Sequence, residues 1–408
     1  MKKLNEKYFC IYGGGSIRGL AYAGAIKAMD ELGIQRVGYA GSSVGALMAI
    51  FDVFGYSYEE IKEEIINVNF ELFKDINFSF GWDIAISKGE IFYNWVKEII
   101  EKKYYGEHYQ KGENNPVCFK DLDKDLIIIT SNFENASFKE FSRYTEPDFE
   151  IAKAVRISAA MPGLMKSVNV DGEVLIDGDL LKPAPLWSLS DSMCPDNARV
   201  LEYRLEGENK ESEIKNTIDF LNALISNISK FATEYIVKRY LNKDKFDYIV
   251  LTTKDVSLVN FNISKEKREE LIQMGYQNTY NYFTDFLVQK KSNLLKDYKI
   301  LYEYIIKIKK SIEHNKLRVA KNLVGELFIC LADIEKYIDL NYYDLIIDFK
   351  NMFTKNLSQN MLGIYKLENK EFINAQLQYL GSTIWHNIKE MEEYKAIIGE
   401  KNAEHKEV

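Results

Sequence analysis

The chain has 408 residues, more than one ordinary compact domain holds, so one large domain with an appended unit is the expected organisation. Apolar residues make up 46% and charged residues 28%, a globular balance that excludes a disordered chain. The net charge of −8 excludes a general nucleic-acid binder, because no basic excess is available to neutralise phosphates.

Four cysteines (Cys10, Cys118, Cys194 and Cys330) lie far apart without a Cys-x-x-Cys pair. They read as reduced thiols, not as a disulfide framework or a zinc site. No run of about 18 apolar residues occurs, so no membrane-spanning helix is expected. Met1-Lys2-Lys3 looks like the start of a secretory leader, but the apolar run Tyr8–Tyr12 is too short for one and passes straight into glycines. The expectation is a soluble, cytoplasmic protein with peripheral membrane contact, and signal-free export is left open.

Tyr8-Phe9-Cys10-Ile11-Tyr12 reads as a buried strand ending at the turn Gly13-Gly14-Gly15-Ser16-Ile17-Arg18-Gly19. Leu20, Ala23, Ala25, Ile26, Met29 and Leu32 then follow helical spacing, closed by Gly33. A strand–glycine–helix turn aims backbone N–H groups and the positive end of a helix at one point, which suits a phosphate or an oxyanion. A dinucleotide fingerprint fails because Arg18 stands where a third glycine belongs. A P-loop fails because no Gly-Lys-Ser/Thr closes the turn.

Val37–Ala40 forms a second short strand, and Gly45-Ala46-Leu47-Met48-Ala49-Ile50 opens a second helix. Between them Ser43 is flanked by Gly41 and Gly45, the spacing of a nucleophile elbow, in which small residues let strand and helix pack closely around an exposed hydroxyl. Ser42 lacks those flanks and reads as structural.

A serine nucleophile needs a base. His108, His314, His386 and His405 all lack a glycine-rich or strand-end context and read as surface residues. A carboxylate in Val168–Asp179 fits better. Asp171-Gly172 sits between two β-branched runs and reads as a tight hairpin turn. Asp177 ends the run Val174-Leu175-Ile176, where α/β enzymes place chemistry, with Asp179 a close rival.

Taken together, Gly-Gly-Gly-x-Arg-Gly, Gly-x-Ser-x-Gly, Ala154–Leu164 with its Met161-Pro162-Gly163, and the strand ending Asp177-Gly178 before Pro183-x-Pro185 resemble the patatin-like phospholipase family. Asp247–Leu251, Phe261–Glu266 and a helix to about Phe286 resemble the end of such domains. The resemblance covers residues 1–290 and leaves 291–408 as a helical C-terminal domain. It implies a three-layer α/β/α fold and a Ser–Asp dyad of Ser43 and Asp177, with no metal or cofactor. Gly13, Gly14, Gly15, Arg18 and Gly19 would form the oxyanion turn, and Arg18 would brace it or attract a phosphate. The substrate would be a phospholipid or lysophospholipid, met by peripheral membrane contact. Two departures stand out: Asp179 replaces the usual small residue after Asp-Gly, and Met165-Lys166-Ser167 replaces a proline-bearing stretch. An acyltransferase using the same serine is the alternative chemistry, although such enzymes pair it with a histidine. A regulated effector with a vestigial site is the alternative class.

Beyond Ser292, Leu294, Tyr298, Leu301, Ile305, Ile308 and Ile312 make one apolar helical stripe. Between Lys291 and Lys321 there are nine Lys or Arg against three Asp or Glu. Packing of the stripe into a bundle with helices near Ala320–Ile338 and Tyr342–Phe353 is favoured over a membrane-facing helix. Regulation by an activating partner or ligand is an open role for this part.

Overall fold

The computed structural model describes residues 4, 6–73, 75, 85–180, 198–207, 223, 227, 246–253, 256, 262–334 and 340–404. Pro183, Pro185, Cys194, Phe261 and His405, named above, lie outside the described residues, as does the end of the helix expected to reach Ile338. The chain divides into two compact units, one of residues 5–241 with 246–281, the other chiefly of 282–408.

In the first unit the strands are β1 (Lys7–Tyr12), β2 (Gln35–Gly41), β3 (Ala85–Ser87), β4 (Asp125–Asn132), β5 (Ser137–Phe141), β6 (Gly163–Met165), β7 (Val168–Val170), β8 (Glu173–Ile176), β9 (Arg199–Glu206) and β10 (Phe246–Thr252). Among the described residues the main sheet has the order β10-β9-β1-β2-β4-β8-β7, with β5 beside β4. From β10 to β4 it is parallel; β8, β7 and β5 are antiparallel. β1 and β4 are buried almost end to end, as strands covered on both faces must be.

The helices are α1 (Ala21–Leu32), α2 (Val44–Val53), α3 (Tyr58–Asn67), α4 (Glu90–Tyr105), α5 (Ile151–Ser158) and α6 (Lys265–Asn281). On one face of β1, Tyr12 stacks on Tyr203, meets Tyr22 of α1 edge-on and donates to Asp52 of α2 at 2.7 Å. The opposite face carries Phe9 and Ile11 in a cluster with Ala40, Ile127 and Ile129. The result is the α/β/α architecture. Its topology puts the β1–α1 and β2–α2 turns side by side at the carboxyl edge, where α/β sheets bind ligands.

Strand direction at Asp177 differs from a parallel α/β edge. β8 enters from the carboxyl end of β4 and runs down it antiparallel, pairing Ile176 with Ser131. Gly41 pairs with Ile128, so Asp177, one residue past Ile176, comes level with Thr130 and hence with the height that Ser43 reaches above Gly41. The hairpin feeding β8 turns at Asp171 (φ 53°) and Gly172 (φ 89°), the two positive-φ positions of a tight primed turn.

In the second unit are α7 (Leu287–Glu313), α8 (Leu317–Ile334), α9 (Leu340–Asn356) and α10 (Lys370–Glu404), with a hairpin of β11 (Leu357–Gln359) and β12 (Tyr365–Leu367) between the last two. The stripe from Leu294 to Ile312 is buried in one core with Leu327, Ile346, Phe353, Leu377 and Ile388. Packing, not exposure, is what that face does. Its stripe is complementary to three other helices, as a bundle requires.

α1 and α6 cross with no room for a side chain. A Cβ on Gly24 would fall 1.8 Å from the Ile272 carbonyl, and one on Gly275 1.8 Å from the Ala21 carbonyl. Alanine normally favours a helix by about 0.8–1.0 kcal/mol over glycine, but forcing these backbones apart costs about 1–3 kcal/mol. Gly275→Ala is therefore expected to lower the thermal unfolding midpoint; a raised midpoint would show that the crossing yields freely.

Candidate active site

Ser43 stands between β2 and α2 with φ 54° and ψ −130°, a strained conformation that lifts a hydroxyl off the backbone. Glycines permit the turn around it. A Cβ on Gly45 would lie 2.0 Å from the Tyr12 carbonyl, and one on Gly41 2.5 Å from the Gly45 carbonyl. The Ser43 N–H donates to Ser158 Oγ at 2.9 Å, and that hydroxyl donates to the Ile129 carbonyl at 2.6 Å. α5 and β4 thus pin the strained residue.

Asp177 is fully buried. Its N–H donates to the Ala160 carbonyl at 3.0 Å. Its Oδ1 accepts the Asp179 N–H at 2.8 Å, while Oδ2 has no hydrogen-bond partner among the described residues. Burial pushes the carboxyl up to about 7, with the Asp179 charge adding to the rise. The Ser43 hydroxyl and the Asp179 N–H hold it down. The Ser43 hydroxyl thus lies close enough to the carboxyl to lower its pKa, while Oδ2 completes no hydrogen bond among the described residues.

Asp179 is differently placed. Its Oδ1 accepts from Arg204 at 2.8 Å and from Ser42 Oγ at 3.0 Å. Its side chain also underlies the glycine turn: a Cβ on Gly14 would sit 2.7 Å from Asp179 Cβ, and one on Gly13 2.4 Å from the Arg204 guanidinium. The turn rests on this ion pair.

The five turn residues separate by role. The Gly13 N–H donates to the Tyr203 carbonyl at 3.1 Å and anchors the turn to β9. The N–H groups of Gly14 and Gly15 donate to nothing among the described residues. Arg18 Nε donates to the Val256 carbonyl at 2.6 Å and the guanidinium lies against Gly207. Gly19 gives space: a Cβ there would meet Val44 at 2.3 Å.

Ser43 opens onto a cavity of about 340 Å³ lined mainly by apolar side chains, among them Ile17, Leu47, Met48, Ile65, Phe70 and Phe92. His108, His314 and His386 are exposed, and none of them lines it. Sequence reasoning missed Arg204, Ser158 and the Val44 N–H. Arg204 was hidden in an ordinary-looking strand, where the only cue is an arginine amid buried positions. Ser158 lies inside the Ala154–Leu164 stretch. Val44 follows the elbow serine, as the first residue of α2.

The site thus sets a glycine-rich turn beside a glycine-flanked serine at the edge of an α/β sheet. Residues 11–190 match the patatin-like phospholipase family model, and this stretch is a patatin-like phospholipase domain. The uncharacterised protein YqhO of Bacillus subtilis (strain 168) is 26% identical over 290 residues, spanning 66% of this chain and 95% of its own. The probable lipid hydrolase 463L of invertebrate iridescent virus 6 is 23% identical over 196 residues, or 45% of this chain and 64% of its own. Among solved structures, VipD from Legionella pneumophila shares the fold with a TM-score of 0.50 at 16% identity, covering 95% of this chain and 90% of that one.

A buried carboxyl titrating near 7 weighs on stability with a definite sign. Unfolded, it titrates near 3.9; between the two values the native state binds more protons, so stability falls as pH rises from about 4 to about 7. Asp177→Asn removes that slope. Its unfolding free energy should exceed that of the unsubstituted protein by an amount that grows between pH 5 and pH 8, on the order of 4 kcal/mol at the alkaline end. An equal difference at both pH values in parallel denaturant titrations would mean that Asp177 is already ionised at pH 5.

Proposed function

We propose that the protein hydrolyses lipid acyl esters of the phospholipase A or lysophospholipase kind, with Ser43 as nucleophile and Asp177 as its base. The observation that carries this reading is the juxtaposition of a strained serine with a buried carboxyl of raised pKa at the wall of an apolar cavity. The match of residues 11–190 to the patatin-like phospholipase family model and the similarity to the probable lipid hydrolase 463L support the same class.

In the mechanism, the acyl chain leaves water for the cavity and sets its ester carbonyl over Ser43. Asp177 Oδ2 takes the hydroxyl proton as Oγ attacks the carbonyl carbon. The tetrahedral oxyanion then faces the N–H groups of Gly14, Gly15 and Val44. Preorganised donors of this sort contribute about 2.7–4 kcal/mol each to the transition state. Collapse expels the alcohol, which recovers the proton from Asp177. Water, deprotonated by the same carboxylate, releases the fatty acid and restores Ser43. Near neutral pH a carboxyl titrating near 7 is a far better base than one near 3.9. Asp179 serves the turn instead of the proton, because Arg204 and Ser42 already engage it.

Fatty-acid release from a defined phospholipid panel tests the reading. Ser43→Ala is expected to lower kcat by about 10⁴-fold or more while the protein stays folded, and Asp177→Asn to lose most activity. In the unsubstituted enzyme kcat/KM should fall on acidification through about pH 7. Asp179→Asn removes a charge that raises the Asp177 pKa, so its residual activity should keep an acid limb moved to lower pH. Full activity in Asp177→Asn together with loss in Asp179→Asn would transfer the role of base to Asp179.

A further inference from the structure

In the helical unit, α7 and α10 run antiparallel: Lys291 lies over the Tyr394 ring, Tyr302 against Trp385, and Lys370 reaches the Glu313 carbonyl. The α7–α8 turn and the β11–β12 hairpin therefore share one end of the bundle, where Lys321 also donates to the Tyr365 hydroxyl. At the tip of that hairpin Met361 is fully exposed, Leu362 is 83% exposed and Ile364 62%. Val319 and Phe372, in the first turns of α8 and α10, are exposed as well. Met361, Leu362 and Ile364 thus put three apolar side chains on one convex turn, which is costly in water.

Four backbone N–H groups at the tip are satisfied within it. Asn360 Oδ1 accepts the N–H groups of Leu362 (3.0 Å) and Ile364 (2.9 Å). The Gly363 N–H donates to the Asn360 carbonyl, and the Asn360 N–H to the Ile364 carbonyl, each at 3.0 Å. Gly363 takes the positive φ of 75° that closes the turn. Donors satisfied internally are what a segment needs in order to enter a low-dielectric layer.

Charge surrounds the tip with the matching sign. Residues 309–321 hold five Lys or Arg against Glu313, and residues 355–371 hold three Lys against Glu368 and Glu371, in a chain whose net charge is −8. Lys316, Arg318, Lys355 and Lys366 are exposed and make no ion pair among the described residues. We infer that this end of the helical unit is a membrane-docking surface, in which Met361, Leu362 and Ile364 insert into the interfacial layer of a bilayer bearing anionic lipid and the surrounding lysines hold its headgroups. A fluid bilayer accepts a convex tip without shape matching. A second copy would need about 800 Å² per partner of complementary surface, more than so small a tip offers.

Co-sedimentation of the full-length Ser43→Ala protein with vesicles, of phosphatidylcholine alone or mixed with phosphatidylglycerol, tests this. The inert background makes the readout independent of the hydrolase reading, which can fail without changing it. Preferential binding to the mixed vesicles is expected. Met361→Ser, Leu362→Ser and Ile364→Ser combined should weaken it by more than about tenfold with an unchanged circular dichroism spectrum and melting midpoint. Lys316→Gln and Lys355→Gln should each cost about fivefold on mixed vesicles only. A Leu362→Trp probe should be quenched by brominated lipid. Absence of vesicle binding, unaltered binding by the triple variant, or a dimer that the triple variant dissociates while vesicle binding persists would each overturn the inference.

Discussion

The constraint on which the site in the first unit depends is the approach of the α2 backbone to the end of β1, at Gly45 against the Tyr12 carbonyl, where a single methyl group would lie 2.0 Å from oxygen. Everything the site offers hangs on that contact. It sets the β1 glycine turn beside the β2 elbow, so that Ser16, Ile17 and Gly19 of the turn line the same cavity as Ser43 and Val44. A second contact of the same kind, Gly178 against the Ile129 carbonyl at 2.0 Å for a notional Cβ, seats the segment bearing Asp177 on β4. The geometry is fixed by backbone meeting backbone, which yields far less than side chains do.

Onto this frame the fold loads two unfavourable features. One is the strained Ser43, restrained through Ser158 to Ile129. The other is a buried carboxyl with one oxygen that finds no hydrogen-bond partner among the described residues. The neighbouring Arg204–Asp179 pair fills a different need, since it supports Gly13 and Gly14 from below and ties them to Ser42. Two aspartates two residues apart thus experience opposite surroundings, one engaged by a cation and one desolvated. Such divergence between like groups is how a protein assigns them different work.

What the sequence exposes and what it hides follow from range. The Ser43 elbow is legible because strand, turn and helix are contiguous and the glycine spacing is a local requirement. The helical stripe from Leu294 to Ile312 is legible for the same reason, its period being a property of one helix. The strand before Asp177 is legible too, but its direction is not, because antiparallel pairing with β4 depends on residues some 45 positions away. Arg204 and Ser158 stay hidden because their partners, Asp179 and Ser43, are remote in sequence. The division of the glycine turn into occupied and free donors likewise needs β9, whose Tyr203 carbonyl takes the Gly13 N–H.

The small turn at Asp171-Gly172 has a reach out of proportion to its size. Side chains alternate along β8, so sliding that strand by one residue would present Ile176 or Gly178 where the acid now stands. The two positive-φ residues, together with the pairing of Val170 with Glu173, leave the hairpin a single way to zip. A surface turn without any group in the cavity thereby acts as the index mark for where the buried carboxyl of Asp177 comes to rest.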